Sequence, residues 1–492
     1  MEEKVSIKKN FIYNCLAQLF TIITPFITSP YLARVLKEDG VGKVSYTASI
    51  IAFFTLFAGL GFSIYGQREV ARNKQDYEKK SCVFWEITIL KFLSTFISII
   101  IFVLIFFIVG FGDKYNKLIL AQGIALIAVV FDSQFLFQGD EDFKTIAIRT
   151  MLIRIIGIAA IFIFVRSEND ILKYILLNNL IILFSNVILV PSILKKISFI
   201  NPKKLKFRRH LKPILIIFIP TVITTVFTTF DKAMIGWLST NPDYDNGCYD
   251  QAYKINSLAQ SITVLYSNIM LSRNSLEYAI GNEEEMNKNI LYSCKYAWFT
   301  SMFLTVGFIL LSKNFCTWFL GDGYVEVPLL LIIMSLRLLV SPISVELGNR
   351  FVIIGKEKYW LISVFIGAIC NIVVNFFLIP KYGAIGAAIA TAATEILILL
   401  SMIIFTIMHK GFDVKKIFLS AKKYFISAII AGIIVFFFSK LFKYSIMSFL
   451  LIGTLDVFAY IGILFLLRDE LIIGIFKNFK QLIYKKVKRN DH

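Results

Sequence analysis

Apolar runs of about twenty residues alternate with short, lysine-rich polar breaks along nearly the whole chain. A membrane-spanning helix needs about 20 mostly apolar residues. On that rule the pattern predicts about fourteen spans, over 11–35, 42–65, 84–110, 118–138, 145–166, 171–194, 213–238, 250–272, 290–311, 326–347, 359–380, 384–408, 423–440 and 445–467. The first run extends from Phe11 to about Leu36, too long for the core of a signal peptide, and lacks an A-x-A cleavage site. It reads as a retained span. The end of the chain has a different period. Between Asp469 and Arg489, Ile472, Ile475, Phe476, Phe479 and Ile483 recur at helical spacing among lysines. That predicts a basic amphipathic helix on the inner leaflet.

The main interruption is Lys195 to Lys212, KKISFINPKKLKFRRHLK, with eight cations and no acid. A basic run between apolar segments reads as a cytoplasmic connector at the membrane surface, and fits a nucleic-acid patch poorly. It divides the chain into spans 1–194, a linker 195–212, spans 213–408, two further spans within 409–468 and the basic tail 469–492. Lys and Arg favour one set of alternate loops by roughly three to one, which predicts both termini in the cytoplasm. Only 17% of residues are charged and 57% are hydrophobic. A soluble domain has about a quarter charged residues, so the class is an all-α polytopic membrane protein. The net charge of +19 sits mostly in short loops and speaks for topology, with no nucleic acid among the partners. The outer loops are short, the longest being Ser239 to Tyr249, which disfavours a membrane-embedded glycan polymerase or ligase. Gly42–Ile50 (GKVSYTASI) and Gly247–Ile255 (GCYDQAYKI) share their end residues, a faint echo of duplicated halves.

No phosphate-binding G-x-x-x-x-G-K-[ST] loop, G-x-S-x-G elbow, H-E-x-x-H pair or kinase set occurs, so neither an enzyme nor a cofactor is expected. Six scattered cysteines and three isolated histidines suggest neither a disulfide framework nor a metal centre. The chemistry lies in charges within apolar spans, each costing about 2.5–3.5 kcal/mol at a helix centre unless it has a partner, water or a role. Asp132 in span four faces Arg149 and Arg154 in span five, a pair across a hairpin with structural and functional readings both open. Asp231 and Lys232 are adjacent and point about 100° apart, so at least one is expected to face a cavity. Arg337 lies mid-span in span ten and Glu346 near its inner end, while Glu395 is a lone carboxylate in span twelve suited to a coupling ion. Arg34 and Lys43 flank the first outer turn, and Arg273 ends span eight. A cavity holding several of these cations suits a phosphate-bearing substrate. Arg34, Lys43, Arg149, Arg154, Lys232, Arg273 and Arg337 are the substrate candidates, and Asp132, Asp231, Glu346 and Glu395 the coupling or gating candidates.

Several stretches carry a family resemblance in order: PYLARVLKEDGVGKVSYTASI, GLGFSIYGQREVAR, FDSQFLFQGDEDFKTIAIR, FDKAMIG, NGCYDQAYKI, FLGDGYVEVPLLLIIM and LIPKYGAIGAAIATAATEI. From about residue 10 to 410 the chain resembles bacterial polysaccharide or O-antigen flippases of the multidrug/oligosaccharidyl-lipid/polysaccharide exporter superfamily. The resemblance implies two six-helix lobes around a central cavity plus two C-terminal helices. It implies alternating-access transfer of an undecaprenyl-diphosphate-linked oligosaccharide from the inner to the outer leaflet of the cytoplasmic membrane. Coupling to a proton or sodium gradient and work alongside a polysaccharide polymerase are features of such systems that it leaves open. The alternative within the superfamily is a cation-coupled multidrug antiporter. Two departures stand out: Lys37 replaces the usual Gly of the ARVLG motif, and span one holds Arg34 alone where lipid II flippases carry several arginines.

Overall fold

A computed structural model describes the backbone of residues 7–108, 113–440 and 446–477. The expected amphipathic tail helix lies, from residue 478 onward, outside the described residues. Among the described residues there are helices and short 3-10 turns, with no strand. Ten stretches of the described residues are long and apolar enough to cross a membrane. The chain forms two compact units, Met1–Asp250 and Gln251–His492.

The first unit contains α1 (Ile7–Gly59), α2 (Phe62–Arg72), α3 (Tyr77–Ile108), α4 (Asn116–Gln122), α5 (Ile124–Phe131) and α6 (Gln134–Gly139). It continues with α7 (Phe143–Phe164), α8 (Ile171–Val187), α9 (Val190–Leu194), α10 (Arg208–Leu238) and the first turns of α11 (Pro242–Thr263). Helix α1 is the hub and packs on α3, α7 and α10. Its 53 residues would reach about 80 Å if straight, far beyond a hydrocarbon core of about 30 Å. It breaks at Lys37, whose φ of 58° and ψ of 179° fall in a region that almost only glycine occupies. The departure from ARVLG thus sits on the residue that makes the turn. Such a conformation costs about 1–3 kcal/mol in a residue with a side chain. The ion pair of Lys37 with Glu168 is exposed and screened by solvent, so it offsets little of that cost. Lys37→Gly is therefore expected to stabilise the protein by about 1 kcal/mol after the extra chain entropy of glycine. A lower melting temperature of this variant in detergent would contradict the reading.

Helices α4 to α6 form one interrupted span. The interruption falls at Asp132, whose extended backbone (φ −70°, ψ 98°) frees a carbonyl from the helical ladder. Inside a bilayer such a group must find a partner within the protein. Lys91 of α3, fully buried, donates its ammonium to that carbonyl.

The basic linker is tied down. Lys196 pairs with Asp140 and Asp142, each at 3.3 Å, and Lys204 with Glu78 at 2.8 Å. Buried Glu86 of α3 takes the Arg209 guanidinium at 2.5 Å and the His210 ring at 2.6 Å, and Tyr65 bonds the other ring nitrogen at 2.8 Å. The expected surface connector is thus anchored by carboxylates of α3 and of the turn between α6 and α7, and by a buried imidazole. The Lys204 ammonium, hydrogen-bonded to Glu78, is held above the usual lysine range.

One crossing in this unit is unusually close. A Cβ on Gly42 would lie 1.7 Å from the Asp243 carbonyl oxygen, and one on Gly247 would lie 2.1 Å from the Glu38 carbonyl oxygen. The two glycines that head the echoed segments are therefore in reciprocal backbone contact.

The second unit contains the rest of α11, then α12 (Leu265–Ala279), α13 (Glu283–Phe319), α14 (Val327–Ile353), α15 (Lys358–His409), α16 (Val414–Ser439) and α17 (Ile446–Leu466). Helix α13 packs on α12, α14, α16 and α17, and α14 also packs on α15. In α14, 61% of the most apolar window is buried, against 22–39% in the other spans, so this helix is the core of the unit. Helix α15 repeats the device of α1, breaking at Gly383 with φ 53° and ψ −128°.

Candidate functional site

In the first unit, one face of α7 turns a line of side chains inward. Ile146, Arg149, Thr150, Ile153, Arg154 and Gly157 follow the three-and-four spacing of a single helical face and line a cavity of ≈ 710 Å³. Asp132, Gln134 and Gln138 enter from the interrupted span, and Asn178, Ser185 and Asn186 from the α8 segment. Asp132, Arg149 and Arg154 are thus brought together, as the sequence suggests, but without an ion pair. Arg149 is 8% exposed and its Nη1 donates to the Ser185 carbonyl at 3.0 Å. The Nε atoms of Arg149 and Arg154 have no hydrogen-bond partner. Asp132 instead accepts from the Ser63 hydroxyl and the Gln134 amide, both at 3.3 Å, starting the helix beyond the break.

The other candidates of this unit lie elsewhere. Asp231 is buried and accepts from the Tyr249 hydroxyl at 2.5 Å, while Lys232 meets Asp250 at 2.6 Å. Two consecutive residues of α10 thus meet two of α11, so each of the adjacent charges has a partner on the next helix. Arg34 is exposed, and Lys43 lines a separate cleft of ≈ 380 Å³ beside Lys37 and Glu168.

In the second unit, Arg337 and Glu395 form a buried pair, Nε to Oε1 at 3.1 Å. The same guanidinium reaches Asn256 at 3.3 Å and Ser257 at 3.5 Å, and lies 5.0 Å from the Tyr253 ring centre. The reading of Glu395 as a lone carboxylate is corrected: its partner stands 58 residues earlier in the chain. Glu346 is buried beside the Ser267 and Ser293 hydroxyls, and Arg273 is exposed. Neither joins the Arg337–Glu395 pair. Among the described residues no group of three His, Cys, Asp or Glu could hold a metal.

Sequence reasoning passed over Lys91, although a single lysine inside ITILKFL was signal enough. It also passed over Tyr249 and Asp250, the last residue of the longest predicted outer loop and the first of the next predicted span, which α11 carries to α10.

The polysaccharide biosynthesis protein family matches residues 7–271, more than half of the chain. The chain belongs to that family. A candidate O-antigen transporter of Shigella dysenteriae is 26% identical over 402 residues, covering 80% of this chain and 99% of the relative. A capsular polysaccharide biosynthesis protein, CapF, of Staphylococcus aureus is 24% identical over 414 residues, covering 80% and 97%. Among solved structures, the lipid II flippase MurJ in an inward closed conformation matches with a TM-score of 0.77 at 17% identity, covering 94% of this chain and 100% of that one. An inward-facing multidrug transporter of the MATE family and MOP superfamily matches with a TM-score of 0.60 at 15% identity, covering 79% and 98%. At these identities the structures speak for the fold of this family member, a polytopic helical transporter fold.

Proposed function

We propose that this family member is a flippase that moves a lipid-linked oligosaccharide repeat unit, carried on undecaprenyl diphosphate, from the inner to the outer leaflet of the bacterial cytoplasmic membrane by alternating access. The observation that carries the reading is the cavity on α7, set in a membrane-embedded unit and lined by two arginines against one carboxylate. A cationic, hydroxyl- and amide-lined space suits a phosphate-linked glycan. Nearly full-length similarity to a candidate O-antigen transporter supports the same reading. A multidrug antiporter extruding cations needs an acidic interior, which this lining does not favour, and it stands second.

The finer organisation belongs to the same proposal. Each of the two longest spans holds a backbone break, at Lys37 and at Gly383, so each counts as two crossings. With α10 and the α11–α12 segment the count becomes fourteen, an even number consistent with both termini inside. We place Asp132, Arg149 and Arg154 at the substrate, and Arg337 with Glu395 in the framework of the second unit. A proton or sodium gradient as driving force, and a polymerase as downstream partner, remain part of this reading.

The test uses proteoliposomes loaded with an undecaprenyl-diphosphate oligosaccharide. The glycan is expected to become accessible to an external glycosidase faster than in empty liposomes. No acceleration with several glycans, alongside proton-coupled efflux of a cationic dye, would replace the flippase by the antiporter.

A further inference from the structure

The charged groups of the two units differ in balance. Arg337 of the second unit commits its guanidinium to Glu395, Asn256 and Ser257, a neutral and closed arrangement. In the first unit Arg149 and Arg154 share a cavity with one carboxylate, and that carboxylate is occupied by Ser63 and the Gln134 amide. The Lys91 ammonium, on the carbonyl of the same Asp132, adds another cation nearby. Arg149 is more than nine-tenths buried with its Nε unpartnered, and the Nε of Arg154 is also unpartnered. Two guanidinium groups facing one hydrogen-bonded carboxylate leave the lining with excess positive charge, whose burial is costly and is offset when an anion arrives.

We propose that this cavity binds a diphosphate group within the first unit alone, with Arg149 and Arg154 as its ligands. Five residues of helix separate their Cα atoms by about 7.5 Å along the axis, so the two guanidinium forks are offered at two levels. A single carboxylate would engage one of them. Two linked phosphoryl groups can engage both, each through the planar fork. Gln134, Gln138, Thr150 and Asn178 supply donors and acceptors for the hydroxyls of an attached sugar. The volume of ≈ 710 Å³ falls within the range of about 300–1,000 Å³ usual for small-ligand sites, which fits a head group and not a long glycan. Only the source of the anion, lipid-linked rather than free, rests on the flippase reading.

The test measures binding to the purified full chain in detergent micelles, with geranylgeranyl diphosphate as probe and geranylgeraniol as its neutral counterpart. The diphosphate is expected to bind and the alcohol not. Arg149→Gln and Arg154→Gln should each weaken binding about ten-fold, and Arg149→Lys less, since it keeps the charge but loses the fork. The paired substitution Arg337→Met/Glu395→Leu should leave affinity within about two-fold, as a site with no shared partner does. Wild-type affinity in the double Arg149→Gln/Arg154→Gln variant, or loss of binding in the Arg337 variant, would overturn the assignment. Inorganic diphosphate binding as tightly as the prenyl compound would keep the site but overturn a lipid-linked source. Equal competition by phosphatidylglycerol would overturn the preference for two phosphoryl groups. Transport and binding separate the two readings. A double variant that still binds the probe, in a chain that flips glycan, sinks the site and leaves the flippase. Probe binding lost in the double variant, in a wild-type chain that flips nothing, sinks the flippase and leaves the site.

Discussion

Arg337→Ala is expected to destabilise the second unit by about 3–5 kcal/mol, the range found when one partner of a buried ion pair is removed. The loss arises mainly from Glu395, left 4% exposed with no cation against it, rather than from the missing guanidinium contacts. Asn256 is cushioned, since its amide still donates to the Met334 carbonyl at 2.9 Å. Replacing both partners by apolar groups of similar volume, Arg337→Met with Glu395→Leu, should recover most of the loss, because a well-packed apolar pair avoids the desolvation penalty of both charges. The check is a denaturant or thermal titration of the two variants in detergent. A loss below about 1 kcal/mol for Arg337→Ala would mean that water reaches the pair, and a double variant as unstable as the single one would refute the cause given.

How much of this was open to the sequence depends on range. The long apolar stretches follow from local composition, and the nearness of Asp132 to Arg149 and Arg154 follows from a hairpin of neighbouring spans, though the structure gives them no ion pair. The pairing of Arg337 with Glu395 does not, because two residues on separate spans carry no local signal of their meeting. Asp231 and Lys232 show the same limit: helical geometry correctly denies that neighbours satisfy each other, but only the packing of α11 reveals Tyr249 and Asp250 as their partners. The break at Lys37 was half legible. The missing motif glycine marks the position, while the positive φ shows what the glycine would have done there. The linker was legible as a basic break between apolar segments, but its anchoring on Glu86 and His210 needed coordinates.

Gly42→Val is expected to be among the most damaging single substitutions in the first unit, with Gly247→Val close behind. What a new side chain would strike is backbone: the Asp243 carbonyl at 1.7 Å from the Cβ of residue 42, and the Glu38 carbonyl at 2.1 Å from that of residue 247. Backbone cannot rotate aside as a flexible side chain can. Asp243 is held further by Lys114 at 3.0 Å and by the Tyr115 hydroxyl at 2.5 Å. The segments must therefore part, which places the cost at or above about 3 kcal/mol, the upper end for overpacking. Small residues that let helix backbones touch are a recurrent means of packing within membranes. Cys248, fully buried beside Gly247, reports the separation directly. In a chain keeping that cysteine alone, maleimide labelling should be slow in the parent and at least about ten-fold faster in Gly42→Val, a change in local opening of 1.4 kcal/mol or more. The two substitutions together should cost less than their sum, because once the first has parted the segments the second has room. Unchanged labelling with an unchanged melting temperature would show that the crossing yields without cost, and that the two glycines heading the echoed segments do not hold it closed.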